Sequence, residues 1–317
     1  MEIIPCPLCG GHDVLMMAKH QDRLLGIEGE FTTTRCTGCG LHYLNPQPTR
    51  EELERHYPAA YEPYLAGRDG RLSWLKRLSV EYGLAKRCRA VTRHKGGGRL
   101  LEIGCGNGMF LDAMQRRGNW QLLGVDTSAH AVSAARERFG LEVVHASLHE
   151  ARFATGAFDV VVMWDVLEHV HDPVATLVEI HRILAADGIL VLRLPVLDAW
   201  ERRWFGRYWS GWDAPRHLTL FSKHTLCLML NRSGFRIASM ACISGSYLTF
   251  VLSIRFWAQD HLSARAQHWL RVFLESLPVR LATAPFFFLV DRLQKSTVIT
   301  VTAQPVRQVP DQVGPGA

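Results

Sequence analysis

From Arg99 onward, short apolar runs alternate with segments whose apolar residues recur every three or four positions. The runs at 100–103, 122–125, 141–144, 158–163 and 189–194 have the length and β-branched content of strands. Run 158–163 is apolar except for Asp159, which predicts a strand buried on both faces. Between them, 109–117 stops at Gly118 and 129–139 closes on Gly140, so both predict helices. A third helix starts at Asp172 as N-cap, with Pro173 at its first position and Gly188 just past its end. Beyond Pro195 the alternation lapses, and 196–222 reads as a long loop crowded with Trp, Arg and Gly, the kind that forms lids and binding walls. A helix capped by Ser222 and ending at Gly234 follows, then a strand from Phe235 and another at 297–303, with a helical insertion over 247–292 between them. This rhythm predicts an α/β fold, a doubly wound sheet with helices on both faces.

Upstream the pattern differs. Residues 1–45 are short, Gly-rich and bracketed by two cysteine pairs, Cys6-x-x-Cys9 and Cys36-x-x-Cys39. Each pair forms a knuckle whose thiolates point at one ion, and two knuckles complete a tetrahedral site. The 26 residues between the pairs suit a β-hairpin, so this part resembles a zinc ribbon holding structural Zn²⁺, with iron in a rubredoxin-like site as the alternative. Residues 46–95 read as a helical linker that opens on a helix capped by Thr49 with Glu52 three positions on. Gly96-Gly97-Gly98 marks the start of the main domain, 96–305, and a Gly/Pro-rich tail at 306–317 predicts disorder.

Composition adds little to this division. The 317 residues carry a formal charge of +6 with no dense basic run, so an anionic partner is only weakly indicated. No secretory signal stands at the start, and paired knuckles with lone extra cysteines suit a reducing compartment, so the expected location is the cytoplasm. The uncharged stretch 237–254 has Ser, Gly and Thr through its middle and reads as strand, turn and helix start, not as a membrane span.

The chemistry is concentrated in LLEIGCGNGMFL at 100–111. Glycines at the carboxyl end of a first strand let a ligand approach the backbone. Here, however, the spacing is Gly-x-Gly-x-Gly, and Glu102 two residues earlier is a poor neighbour for a pyrophosphate. Asp126 ends the second strand in GVDTS, where an acid accepts both ribose hydroxyls of an adenosine. Cys105 sits between two glycines with no partner beside it in sequence, and reads as a spacer. Together with FDVVVMWDVLEHV at 158–170 and HRILAADGILVLRLP at 181–195, these segments resemble the class I S-adenosylmethionine-dependent methyltransferases, whose domain is a seven-stranded Rossmann-like sheet. The resemblance implies that Glu102, Gly104 and Gly106 line the methionine part of S-adenosylmethionine, with Cys105 and Gly108 in the same turn. It implies that Asp126 holds the ribose with Thr127 beside it, and that Ser147 and Leu148 frame the adenine. Many relatives carry an acid where Ala146 or Ser147 stands, and this chain does not. Trp164 and Asp165 end the fourth strand and face the reaction centre.

The acceptor side is read from GWDAPRHLTLF at 211–221. His217 is the candidate general base, with Asp213 or Arg216 orienting it or the substrate; a structural loop histidine is the alternative. Structural roles are expected for His169 and His171. No Asp/Asn-Pro-Pro-aromatic motif follows the fourth strand, which disfavours amino-methylation of nucleic-acid bases. The expected acceptor is an oxygen of a small metabolite, glycan or lipid-linked precursor. RNA binding or modification through the ribbon is the second reading, and a nicotinamide-dependent oxidoreductase the third. In 247–292, Trp257, Leu262, Trp269, Phe273 and Leu277 recur among Arg255, Arg265, Arg271 and Arg280. That pattern fits a helical cap or a helix lying on a membrane surface, which would place the protein at the membrane periphery and favour a lipid-linked acceptor. Nothing in the sequence fixes the oligomeric state.

Overall fold

A computed structural model describes residues 1–58, 74–243 and 245–306. The disordered tail expected at 306–317 and the middle of the expected linker, 59–73, lie outside the described residues, apart from Val306.

The main domain is a seven-stranded sheet of order β10-β11-β8-β7-β4-β5-β6. Its first strands are β4 (Gly97–Ile103), β5 (Asn119–Asp126), β6 (Val143–His145), β7 (Phe158–Trp164) and β8 (Leu184–Pro195), all paired in parallel. Two more, β10 (Phe235–Ala241) and β11 (Val298–Pro305), close one edge, with β11 antiparallel to both neighbours. Helices α3 (Met109–Gln115), α4 (Ala129–Phe139) and α5 (Pro173–Ile183) make the crossovers. Strands inside such a sandwich read as continuous apolar runs because both faces are covered; Val160, Val161, Val162 and Met163 of β7 are all fully buried. Burial of each such side chain contributes roughly 1.5–3 kcal/mol. Strand order reverses beside β4, which opens a crevice at the carboxyl ends of β4, β5 and β7, the usual ligand position in open α/β sheets.

Two boundaries differ from the sequence reading. Helix α5 has the predicted Asp172 cap and Pro173 start but ends at Ile183, so Gly188 lies inside β8. Tertiary pairing decides this: Leu184 sits opposite Phe158, and the register shifts before Ile189 reaches Val160. Helix α3 likewise stops at Gln115. Thr49 does cap α1 (Arg50–Glu54) through a reciprocal box with Glu52, and α2 (Trp74–Thr92) leads into β4.

The amino-terminal segment forms a second sheet, β1 (Val14–His20), β2 (Phe31–Cys36) and β3 (His42–Leu44), in antiparallel order. Its fourth strand comes from far along the chain: β9 (Thr219–Leu220) pairs with β3 through Tyr43↔Thr219 and His42↔Leu220. Segment 196–222 is therefore not a structureless loop. It carries α6 (Trp200–Phe205), two 3₁₀ turns and β9, and it covers an edge that β3 would otherwise expose. Cys6, Leu8, Leu41 and Tyr43 pack into the same buried cluster as Leu101, Met163 and Leu192 of the large sheet.

Helix α7 (Lys223–Arg232) has the predicted Ser222 cap, and the insertion consists of α8 (Ser246–His261), α9 (Ala264–Glu275) and α10 (Leu277–Arg292). It touches the ribbon through a forked Arg23–Asp260 pair at 3.1 Å, and the Tyr208 hydroxyl donates to the same Asp260 carboxylate at 2.9 Å. Among the described residues no single helix is long and apolar enough to cross a membrane; α9 and α10 meet at 65°.

Candidate functional site

The crevice at the switch point opens into a cavity of about 1790 Å³. Pockets for single small ligands span about 300–1,000 Å³, so this one has room for a nucleotide-sized molecule and a sizeable second one.

The glycine turn forms one wall. Gly104 and Gly108 have positive φ and pack on protein: a Cβ on Gly104 would meet Val166 at 2.6 Å, and one on Gly108 would meet Leu141 at 2.5 Å. Gly106 is different, since nothing lies within 4 Å of a Cβ built there; its bare backbone faces open space. Its amide donates to Asp126 Oδ2 at 2.8 Å, and the Ser128 amide donates to Oδ1 at 2.8 Å. Both carboxylate oxygens of Asp126 are thus fixed in direction, while their remaining lone pairs stay available. Burial raises the Asp126 carboxyl above its ordinary value, against those two hydrogen bonds. Glu102 is 3% exposed, and its Oε2 has no hydrogen-bond partner among the described residues. Burial, opposed by Arg87 and reinforced by Asp126, pushes its carboxyl well above the usual range. A buried carboxyl oxygen without a donor is costly. Cys105 is buried; burial, then Glu102 and Asp126, push its thiol up, so it stays an unreactive spacer.

Thr127, Ser147 and Leu148 line the same cavity. The exposed Glu150 carboxylate accepts from the Ser147 amide at 2.8 Å and from its hydroxyl at 2.6 Å. At the far end, Trp164 presents a buried Nε1 with no hydrogen-bond partner among the described residues, and Arg87 lies 5.5 Å over its ring. Asp165 has a left-handed backbone (φ 59) and is ion-paired to Arg193 and, at 3.6 Å, to Arg87.

The acceptor-side residues separate into two groups. His217 and Asp213 line the cavity; Arg216 does not. The Arg216 guanidinium is 0% exposed and donates twice to Asp22, at 2.8 and 2.9 Å, and twice to Asp213, at 2.7 and 3.1 Å. Asp22 also meets His56 Nδ1 at 2.7 Å. Arg216, expected to orient the base or the substrate, is instead a buried rivet between the ribbon and the acceptor loop. Burial alone would raise the Asp213 carboxyl, but Arg216 outweighs it and holds that carboxyl below its ordinary value.

His217 Nδ1 lies 2.9 Å from the Gly211 carbonyl, which makes Nδ1 the protonated nitrogen and leaves a lone pair on Nε2. That Nε2 stands 4.0 Å from Glu168 Oε1 and 3.9 Å from Asp213 Oδ2. Glu168 was not singled out in the sequence, although it lies inside the stretch 158–170. Its side chain is 0% exposed and neither oxygen has a hydrogen-bond partner among the described residues. Burial, with Asp165 nearby, drives its carboxyl well up. His169, expected to be structural, lines the cavity as well; its ring is 4.8 Å from that of His217, and burial pushes its pKa down to about 3.

In the ribbon, Cys6 Sγ and Cys39 Sγ are 3.4 Å apart, as are Cys9 Sγ and Cys36 Sγ, and all four lie within 4.8 Å of one another. Each knuckle is closed by a glycine amide, Gly10 to Cys6 O at 2.8 Å and Gly40 to Cys36 O at 3.0 Å. A tetrahedral ion with sulfur bonds of about 2.3 Å fits these spacings.

Known proteins supply the remaining observations. The family described as "Methyltransferase domain" matches residues 76–240. A ubiquinone biosynthesis O-methyltransferase from Psychrobacter arcticus is 35% identical over 132 residues, covering 38% of this chain and 51% of that protein. A probable S-adenosylmethionine-dependent methyltransferase from Mycobacterium tuberculosis is 34% identical over 124 residues, covering 38% of this chain and 42% of that one. The chain thus spans about half the length of the curated relatives it matches. Among solved structures, the [4+2]-cyclase SpnF superposes with a TM-score of 0.53 at 20% identity, over 82% of this chain and 98% of that one. That likeness concerns the fold alone, since a fold hosts many reactions.

Proposed function

The chain belongs to the methyltransferase domain family, and from that premise we propose that it moves the methyl group of S-adenosylmethionine to a hydroxyl oxygen of a small, apolar or lipid-linked acceptor. The observation that carries the donor half is the buried Glu102, whose Oε2 has no hydrogen-bond partner among the described residues, beside a doubly anchored Asp126. Glu102 would take the amino group of the methionine part, Asp126 the ribose hydroxyls, and bare Gly106 would let the ligand lie against the backbone. Ser147, Leu148 and Glu150 would border the adenine. The sulfonium methyl would then point toward Trp164 and the His217 corner, where an in-line acceptor oxygen gives up its proton.

Calorimetry tests this half directly. Asp126→Ala should weaken S-adenosylmethionine binding by roughly 10–100-fold, the loss of one or two charge-assisted hydrogen bonds, and NAD should give no heat with either protein. Full affinity in Asp126→Ala would remove the ribose assignment.

Support for an apolar acceptor comes from the cavity mouth. Leu281 and Phe288 of α10 line it yet are each 64% exposed, and on the neighbouring α9 Trp269 and Phe273 are 62% and 61% exposed. Arg265 and Arg271 are exposed on the same helix. An amphipathic face of this kind inserts into the headgroup boundary of an anionic bilayer, which would bring a lipid-borne hydroxyl to the mouth. In flotation with phosphatidylglycerol-containing vesicles, the wild type should rise with the lipid. The double variant Trp269→Ser/Phe273→Ser should bind roughly tenfold more weakly, from the lost apolar area. A wild type that stays in the soluble fraction would leave the acceptor a soluble one.

A further inference from the structure

The His217 corner contains more than a base. We propose that Glu168, His169 and His217 form a site for one divalent transition-metal cation that holds the acceptor oxygen, a deepening that rests on the hydroxyl-acceptor reading above. One ligand atom from each residue lies within 4.8 Å of the other two, and the Glu168–His217 separation is 4.0 Å. A cation at about 2.1 Å from each donor would draw such a set together through small side-chain rotations.

Three features favour a cation over a plain buried cluster. Both oxygens of Glu168 are buried with no hydrogen-bond partner among the described residues, which leaves their lone pairs open to a cation. Both histidines are oriented as ligands: His217 Nδ1 lies against Gly211 O and His169 Nδ1 against Arg216 O, each at 2.9 Å, which leaves the Nε2 lone pairs for an ion. Backbone-anchored imidazoles of this kind are the usual outer support of metal sites. His169 and His217 also line the large cavity, so three protein ligands leave coordination positions open to a substrate, the pattern of reactive rather than structural sites. Two imidazoles and one carboxylate select Zn²⁺, Mn²⁺, Fe²⁺ or Co²⁺ over Mg²⁺ and Ca²⁺, which prefer oxygen donors.

Chemically, the acceptor hydroxyl binds the cation and loses its proton to water. The resulting oxygen anion attacks the methyl carbon, the sulfonium S–C bond breaks toward sulfur, and the products are the methyl ether, S-adenosylhomocysteine and the released proton. His217 is then a ligand, not the proton's acceptor.

Mn²⁺ is the probe of choice, because thiolates bind it poorly and the cysteine site stays silent. Protein stripped of loosely held metal with EDTA is titrated with Mn²⁺ while free Mn²⁺ is followed by electron paramagnetic resonance. One Mn²⁺ per chain is expected, with about tenfold or greater weakening in Glu168→Gln and His217→Gln; S-adenosylmethionine affinity in both variants should stay within about twofold, showing that they fold. Absence of saturable Mn²⁺ binding, or equal binding by both variants, overturns the site. The activity arm separates the two ideas. If stripped protein methylates hydroxyl acceptors at the full rate, the cation has no role and the methyl-transfer reading stands. If Mn²⁺-loaded protein binds S-adenosylmethionine yet methylates amines and no hydroxyl, the oxygen reading falls while the site stands.

Discussion

Arg216→Met should destabilise the protein by about 3–5 kcal/mol, because it removes the guanidinium shared by the buried Asp22 carboxylate and the partly buried Asp213 carboxylate. The guanidinium is 0% exposed and bonds Asp22 from the ribbon and Asp213 from the acceptor loop at once. Chemical denaturation measures the loss, and the triple variant Asp22→Asn/Asp213→Asn/Arg216→Met should recover part of it, since the stranded charges are gone. Acid gives an independent check. Burial raises the Asp22 carboxyl, but hydrogen bonds from Arg216 and His56 outweigh it, so the folded value lies below the unfolded one. Its contribution is therefore present above the unfolded pKa near 3.9 and lost as pH falls through the lower folded value. Wild type should lose stability over that acidic window, whereas Arg216→Met should lose less. A stability change under about 1 kcal/mol with a large fall in kcat would return Arg216 to the chemistry.

Cys36→Ser should have a still larger local effect. Metal binding free energy in a small module is folding free energy, about 10–16 kcal/mol for structural zinc in peptides. With zinc as the expected ion, replacing one of four thiolates should forfeit much of this: residues 1–45 should become protease-sensitive, and bound zinc should fall below the one ion per chain expected of the wild type. The consequence extends beyond the ribbon because β3 holds β9, and β9 begins two residues after His217. Methyl transfer should thus fall by roughly 100-fold, as misplacement of a reacting group by an ångström can cause, while S-adenosylmethionine affinity, set at β4 and β5, stays nearly unchanged. Iron in place of zinc would show as a visible absorption band. Retained zinc and retained activity in Cys36→Ser would dismiss the four-thiolate site.

The gathering of Glu102, Gly106 and Asp126 at one cavity was legible in the sequence because its determinants are local. Glu102, Gly106 and Asp126 sit at strand ends, and a strand end followed by glycine is written in consecutive residues. The sheet was legible for the same reason, with β7 announced by an unbroken apolar run. The acceptor half was less readable, because its contacts join residues far apart in the chain. Nothing near Arg216 announces Asp22 or His56, and nothing near Thr219 announces Tyr43. Helix α5 ended early for a similar reason, since Leu184 answers to Phe158 rather than to its own helical propensity. Glu168 was hidden differently: an acid among apolar neighbours signals a site only once its burial and missing partners are seen.

The shared sheet has a practical meaning for anyone redesigning acceptor choice. In many enzymes a specificity loop can be cut out and grafted onto a related scaffold. Here the segment from Trp200 to Leu220 takes the partner of its strand β9 and its buried counter-charge from residues near the amino terminus. A transplant of that segment alone would arrive without its supports, so ribbon and loop have to travel as a single cassette.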